Sequence, residues 1–186
     1  FGWPGAEALA WERVMMWLWL RRRYRQWHYR RLLAAWPPAG NRVLRFNWRD
    51  LTLDGMRCGA SLGSVAIWGR PEHIALSGDR LLQITYPERG LALEFENESL
   101  VYIGFEFSAD HPQRRLPVDL LHAEMTFFSA ATELADIRRL AGEPARIEQD
   151  ESKTVLQYRR LQHVLEFEFD RKGTLRRFNL FPEEEK

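Results

Sequence analysis

Gly59-Ala60-Ser61-Leu62-Gly63 fits G-x-S-x-G, the pattern that sets a nucleophilic serine on a strained strand-to-helix turn. In a hydrolase an acid and a histidine must follow to activate that serine. Here no βαβ run precedes the pentapeptide, and 186 residues are few for the fold that uses it. Ser61 therefore reads as a helix cap or a loop residue. Cys58, the one cysteine, could act as a nucleophile, but a lone cysteine beside an apolar run reads more simply as a packed side chain. It also forbids an intrachain disulfide, which favours a reducing, cytoplasmic compartment. The five histidines (28, 73, 111, 122 and 163) are scattered, with neither H-E-x-x-H nor cysteine pairs, so no metal is expected. There is no Walker A loop and no G-x-G-x-x-G. No acid, base and nucleophile set can be assembled. The expectation is a protein without catalytic residues and without a cofactor.

The residues that recur in a usable pattern are carboxylates. In Leu91-Ala92-Leu93-Glu94-Phe95-Glu96 the apolar residues alternate, so Leu91, Leu93 and Phe95 share a buried face and Glu94 and Glu96 point away from it. In the next run Val101, Ile103, Phe105 and Phe107 share a face, leaving Tyr102 and Glu106 beside Glu94 and Glu96. Leu165-Glu166-Phe167-Glu168 repeats the first run and adds Glu166 and Glu168. An acidic, aromatic sheet face complements a basic cleft on another protein. Trp68 and Tyr86, together with Trp48, are candidate aromatic anchors at the centre of such an interface. The competing reading pairs the carboxylates across strands with Arg159, Arg160, Arg176 or Arg177.

The elements that would position these residues come in two sets. Trp68-Gly69-Arg70-Pro71 closes a helical segment carrying Leu62, Val65 and Ile67, and Ala141-Gly142-Glu143-Pro144 closes another carrying Leu134, Ile137 and Leu140. Each is followed by a tyrosine-bearing run (Leu82 to Tyr86, Leu156 to Tyr158), then by Leu-Glu-Phe-Glu, then by a last strand. The two Gly-x-Pro turns lie 73 residues apart and the two Leu-Glu-Phe-Glu runs 72 apart, which marks a duplicated unit. The spacing predicts a helical region from Met56 to Ile67, a strand over Val118 to Phe128, and a helix from a Thr132 cap to Ala141. The division is an arm over 1–40, a first unit over 41–115 and a second over 116–186. The fold class is α+β: a long N-terminal helix followed by two helix-plus-antiparallel-sheet units. The tail Glu183 to Lys186 is expected to fray.

The arm, helical over 6–36 and stopped by Pro37-Pro38, holds six of the eight tryptophans. Trp17, Leu20, Tyr24 and Trp27 recur as one stripe, widened by Trp11, Val14 and Leu18. Residues 1–50 carry ten arginines against three acids, whereas Tyr86 to Asp110 carries six acids against Arg89. Such asymmetry points to a charged partner or to pairing of the two regions. The apolar run from Val14 to Leu20 is far shorter than a bilayer span, and basic residues follow it, the reverse of a signal peptide. Docking of the stripe on the chain's own fold is the first expectation. Binding in the plane of an anionic membrane through residues 1–36 comes next, and nucleic acid is disfavoured.

On the duplicated helix, Gly-x-Pro and strand unit over about residues 43–181, the chain resembles the β-lactamase inhibitor protein fold and the SmpA/OmlA outer-membrane lipoprotein family. Gly69-Arg70-Pro71 and Gly142-Glu143-Pro144 match the turn that closes the helical pair of those units. The resemblance implies a tandem sheet surface that clasps another protein. It leads to the expectation of a bacterial immunity protein that neutralises a cognate toxin or effector, such as one delivered by type VI secretion. The alternative expectation is a membrane-peripheral scaffold or envelope-assembly module held by the arm.

Overall fold

In this computed structural model residues 5–40, 42–78, 80–119 and 126–183 are described, with side-chain surroundings from Trp11 onward. Helix α1 (Gly5–Ala34) leads into β1 (Phe46–Asn47), β2 (Thr52–Leu53) and a 3₁₀ segment (Leu62–Trp68). A meander follows: β3 (His73–Ser77), β4 (Leu81–Tyr86), β5 (Leu91–Glu96) and β6 (Ser99–Glu106), with a 3₁₀ turn at Pro87–Arg89. Then come β7 (Leu116–Asp119), β8 (Thr126–Phe128), helix α2 (Leu134–Ala141) and a second meander of β9 (Arg146–Gln149), β10 (Lys153–Arg160), β11 (His163–Asp170) and β12 (Leu175–Pro182). The content is mixed α+β, with one long N-terminal helix and a large antiparallel sheet.

The two meanders form one eight-stranded sheet in the order β3-β4-β5-β6-β12-β11-β10-β9, joined where Phe105 stands opposite Phe178 and Gly104 opposite Asn179. A four-stranded sheet, β2-β1-β7-β8, packs on its inner face. Strand β1 pairs in parallel with β7, Phe46 facing Val118, a contact between segments far apart in sequence. The continuous strand expected over Val118 to Phe128 is instead two strands, β7 and β8, paired antiparallel. Residues 120–125 between them, like the tail from Glu184, lie outside the described residues.

Alternation decides which side chains are buried. Leu91, Leu93 and Phe95 of β5 and Leu165, Phe167 and Phe169 of β11 point inward and are at most 1% exposed. Phe167 meets Trp48 from the β1 side, Phe128 from β8, Tyr158 from β10 and Phe178 from β12, with ring centroids 5.1–6.2 Å apart. One continuous core therefore runs from Tyr29 to Leu180 and crosses the boundaries expected near 40 and 115. Those boundaries mark changes in sequence pattern without separating cores.

The first helical segment is shorter than the expected Met56 to Ile67. A 3₁₀ helix repeats every three residues, so Leu62, Val65 and Trp68 line its buried side and Ile67 is turned out to 54% exposure. Helix α2 starts one residue later than expected, capped by Glu133 in a reciprocal box with Asp136. Thr132 instead bonds backward, its Oγ1 accepting from the Ser129 N–H at 3.0 Å.

The Gly-x-Pro turns have a shared physical cause. Gly69 (φ 89, ψ −179) and Gly142 (φ 81, ψ −155) sit where side chains with a Cβ are strained. The carbonyl left free at each glycine accepts a hydrogen bond from the tyrosine that follows: Tyr86 Oη to Gly69 O at 2.8 Å, Tyr158 Oη to Gly142 O at 3.1 Å. At Gly69 the turn also holds the end of α1. The Arg70 backbone N–H donates to Pro37 O at 2.7 Å and its guanidinium to Ala34 O at 2.6 Å, satisfying a carbonyl at the helix terminus. Arg89 adds hydrogen bonds to the carbonyls of Trp68 and Gly40.

Candidate binding surfaces

Side chains from β4, β5, β6 and β12 that point away from the core border a groove of about 380 Å³ on the open face of the large sheet. Glu94 stands opposite Tyr102 on one side and opposite Gln83 on the other. Its Oε1 accepts from Gln83 Nε2 at 3.2 Å. The same pair recurs in the other half of the sheet, where Glu166 Oε1 accepts from Gln157 Nε2 at 2.7 Å. Tyr102 lies across Gly104, where a Cβ would come within 2.5 Å of its hydroxyl oxygen. The Tyr102 hydroxyl donates to Asn179 Oδ1 at 2.7 Å, bridging the β6–β12 seam. Burial, then the neighbouring Glu94 charge, push this phenol up to about 12 against the opposing pull of Arg177, so it is a neutral donor at physiological pH.

Of the residues expected at an interface, Glu94, Tyr102 and Glu106 line this groove, while Glu166 joins it only through Asn179, whose Nδ2 donates to Glu166 Oε2 at 3.4 Å. Glu168 is engaged by Lys153 at 3.1 Å, and Glu96 is exposed at the end of β5, outside the groove. Trp68 and Tyr86 require correction. They are 1% and 0% exposed, because the 3₁₀ period turns Trp68 inward and β4 buries Leu82, Ile84 and Tyr86 on alternate positions. Trp48 is likewise buried. Of the expected cross-strand arginine partners, Arg177 approaches Glu106 at 3.7 Å, whereas Arg159 and Arg176 pair with Glu183 and Asp170. Amides and Lys153 do the rest. Gln83, Gln157, Asn179 and Arg114 were not singled out from sequence, although the two glutamines precede the two tyrosines within matching runs.

Helix α1 presents a second and very different surface. Tyr29 and Leu33, with Trp36 just beyond the helix, are buried, so from Trp11 onward it is the C-terminal end that joins the core. Trp11, Val14, Met15, Met16, Trp17, Trp19, Leu20, Tyr24 and Trp27 are between 48% and 69% exposed. The expected stripe of Trp17, Leu20, Tyr24 and Trp27 is thus not docked on the fold. At 100° per residue, consecutive apolar positions from Val14 to Leu20 ring the whole helix, so the arm is apolar all round in this stretch instead of one-sided. Arginines follow, and Arg21, Arg23 and Arg31 lie over the rings of Trp17, Trp19 and Trp27 at 5.2, 4.8 and 5.5 Å. No helix among the described residues is long and apolar enough to cross a membrane.

Ser61 has ordinary extended geometry (φ −72, ψ 153) and its Oγ meets Ser64 Oγ at 2.8 Å, so the G-x-S-x-G pentapeptide is not a strained elbow. Burial raises the Cys58 thiol to about 11, away from the thiolate form that a nucleophile needs. Among the described residues no group of three or more His, Cys, Asp or Glu could hold a metal ion.

No family model and no curated protein matches the chain. Among solved structures it is similar to a DUF4309 family protein (YjgB) from Bacillus subtilis, at 13% identity and a TM-score of 0.46, over 67% of this chain and 79% of that one.

Proposed function

We propose that this chain is a non-catalytic binding module held at an anionic membrane surface by its N-terminal helix. The observation that carries the reading is the unpartnered apolar band of α1, with Trp17 and Trp19 more than half exposed next to Arg21, Arg22, Arg23 and Arg25. Tryptophan and arginine together suit the bilayer interface, where rings lie among the headgroups and guanidinium groups meet phosphates. Each arginine near an anionic leaflet adds on the order of 1 kcal/mol, and α1 carries seven against Glu7 and Glu12. The same positive charge opposes pairing of two arms with each other, which favours lipid over a second copy.

Deleting residues 1–36 is a poor test, because it removes Tyr29, Leu33 and Trp36 from the core. Substituting Trp17→Glu with Trp19→Glu leaves the core intact. The intact chain should sediment with vesicles of phosphatidylglycerol and phosphatidylcholine, less with phosphatidylcholine alone, and less as salt rises. The double variant should stay in the supernatant. An intact chain that ignores both vesicles, or binds single-stranded nucleic acid instead, would refute the proposal.

The sheet groove supports a second reading, a protein-binding inhibitor such as an immunity protein for a toxin. It rests on Tyr102, Glu94 and Glu106 meeting in one concavity. The mirrored strand order about the β6–β12 seam and the matching tyrosine-to-glycine bonds fit two copies of one unit, as in tandem inhibitor domains. A tight partner recovered with the intact chain and released by Glu94→Lys with Glu106→Lys would support this reading; a partner indifferent to both changes would end it for this face.

A further inference from the structure

The geometry points to a site for an amphiphilic anion, a carboxylate or phosphate on an apolar chain, in the cleft between Arg114 and the Val43 segment. This cleft, of about 320 Å³, adjoins the sheet groove, since Arg114 and Phe105 border both cavities. Its charged lining is lopsided: Arg42, Arg89, Arg114 and Arg115 against Glu88 alone.

These arginines are not equivalent. Arg42 is ion-paired with Asp54 at 2.6 Å, and Arg89 is committed to the carbonyls of Trp68 and Gly40. Arg115 spends its Nε on Pro112 O at 3.2 Å. Arg114 differs, because its Nε is buried and has no hydrogen-bond partner among the described residues. A charged guanidinium with one donor unsatisfied is poorly compensated, and an anion in the cleft would offset its charge through the part of the side chain that borders the cleft. Its position is built into the fold: the Arg114 Cδ lies 3.1 Å from where a Cβ on Gly90 would stand, so the glycine makes room for the stem.

The other walls are apolar. Val43 is 64% exposed and Phe127 42% exposed at the cleft, while Leu44 and Leu116 form its buried floor. A cationic end beside an apolar trough selects a ligand with an anionic head and a hydrocarbon body, in preference to inorganic phosphate or a neutral amphiphile. Arg114 fixes the head and the Val43–Phe127 wall takes the body.

The test is a calorimetric titration of the full chain with decanoate and with decyl phosphate, both below micelle-forming concentrations, beside inorganic phosphate and octyl glucoside. Decanoate or decyl phosphate should bind at least tenfold more tightly than either control. Arg114→Gln should weaken that binding about tenfold or more, the factor carried by a lost charge-assisted hydrogen bond. Val43→Asp, at an exposed position that does not support the core, should weaken it similarly by placing a like charge on the wall. Sedimentation with vesicles should be unchanged in both variants, which separates this cleft from the arm. Absence of binding by the two alkyl anions, or binding that both variants leave intact, as uptake by the apolar arm would be, overturns the proposal.

Discussion

Gly69→Ala should destabilise the protein by about 2–6 kcal/mol, the sum of about 1–3 from the strain of a Cβ at this backbone conformation and about 1–3 from overpacking. A Cβ at Gly69 would stand 2.5 Å from Ala39 Cα and 2.7 Å from Pro38 O, which are main-chain atoms with no rotamer to yield. Gly142 has a similar backbone conformation, but nothing lies within 4 Å of its Cβ position. Gly142→Ala should therefore cost only the conformational part, about 1–3 kcal/mol. The difference between the two, read from urea denaturation midpoints at unchanged slope, isolates the contact between the first turn and the end of the arm. Gly69→Ala should also open the Pro37–Gly40 segment to proteolysis, because Arg70 and Arg89 can no longer hold it in place. Equal costs at the two glycines would contradict this account of how the arm is attached.

Phe167→Ala should cost about 3–5 kcal/mol, the range for deleting a buried aromatic ring. Phe167 is fully buried and its ring contacts join the two sheets. Its effect should also be global. Because both halves share one core, thermal unfolding of the variant should remain a single transition at a lower midpoint. Two transitions, with only the C-terminal half weakened, would show that the halves fold independently.

Much of this architecture is legible in the sequence because it rests on local rules. The alternation of Leu91 to Glu96 assigns each side chain to its observed face. The two Gly-x-Pro turns mark where helical segments end, because their glycines need positive φ. Asn97 and Glu98 both adopt positive φ in the two-residue turn between β5 and β6, while Ser99, which the polar run Asn97-Glu98-Ser99 would include in the turn, already belongs to β6. What sequence alone does not yield is non-local. The parallel pairing of β1 with β7 joins Phe46 to Val118 across the whole first meander, and no periodicity announces it. Whether the first helical segment is α or 3₁₀ turns on a few residues, and that choice moves Trp68 inside and Ile67 outside.

The candidate surfaces divide in the same way. Strand alternation places Glu94, Tyr102 and Glu106 on one face, but Gln83 and Asn179, which bond to two of them, and Arg114, which shares the groove, come from strands and loops that only the tertiary fold brings together. For the arm, the stripe from Trp17 to Trp27 is present in the sequence, and stripes of that kind usually pack on their own fold. Met15, Met16 and Trp19 spoil the one-sidedness, and among the described side chains of the arm Tyr29, Leu33 and Trp36 are the ones that reach the core. The carboxylates of the sheet face are largely engaged by neighbours, whereas the apolar arm is not. That contrast is why the arm, and not the acidic face, carries the functional proposal.

The most direct measurement is quenching of intrinsic tryptophan fluorescence by phosphatidylglycerol vesicles whose acyl chains carry bromine. Trp11, Trp17, Trp19 and Trp27 of the arm are exposed, while Trp36, Trp48 and Trp68 are buried in the core and act as an internal reference. If the arm lies in the bilayer interface, the larger part of the emission should be quenched and a residual core fraction should survive. Trp17→Glu with Trp19→Glu should abolish the quenching of the remaining arm tryptophans. Emission from the intact chain that is unchanged by brominated lipid at every lipid concentration would contradict the central claim.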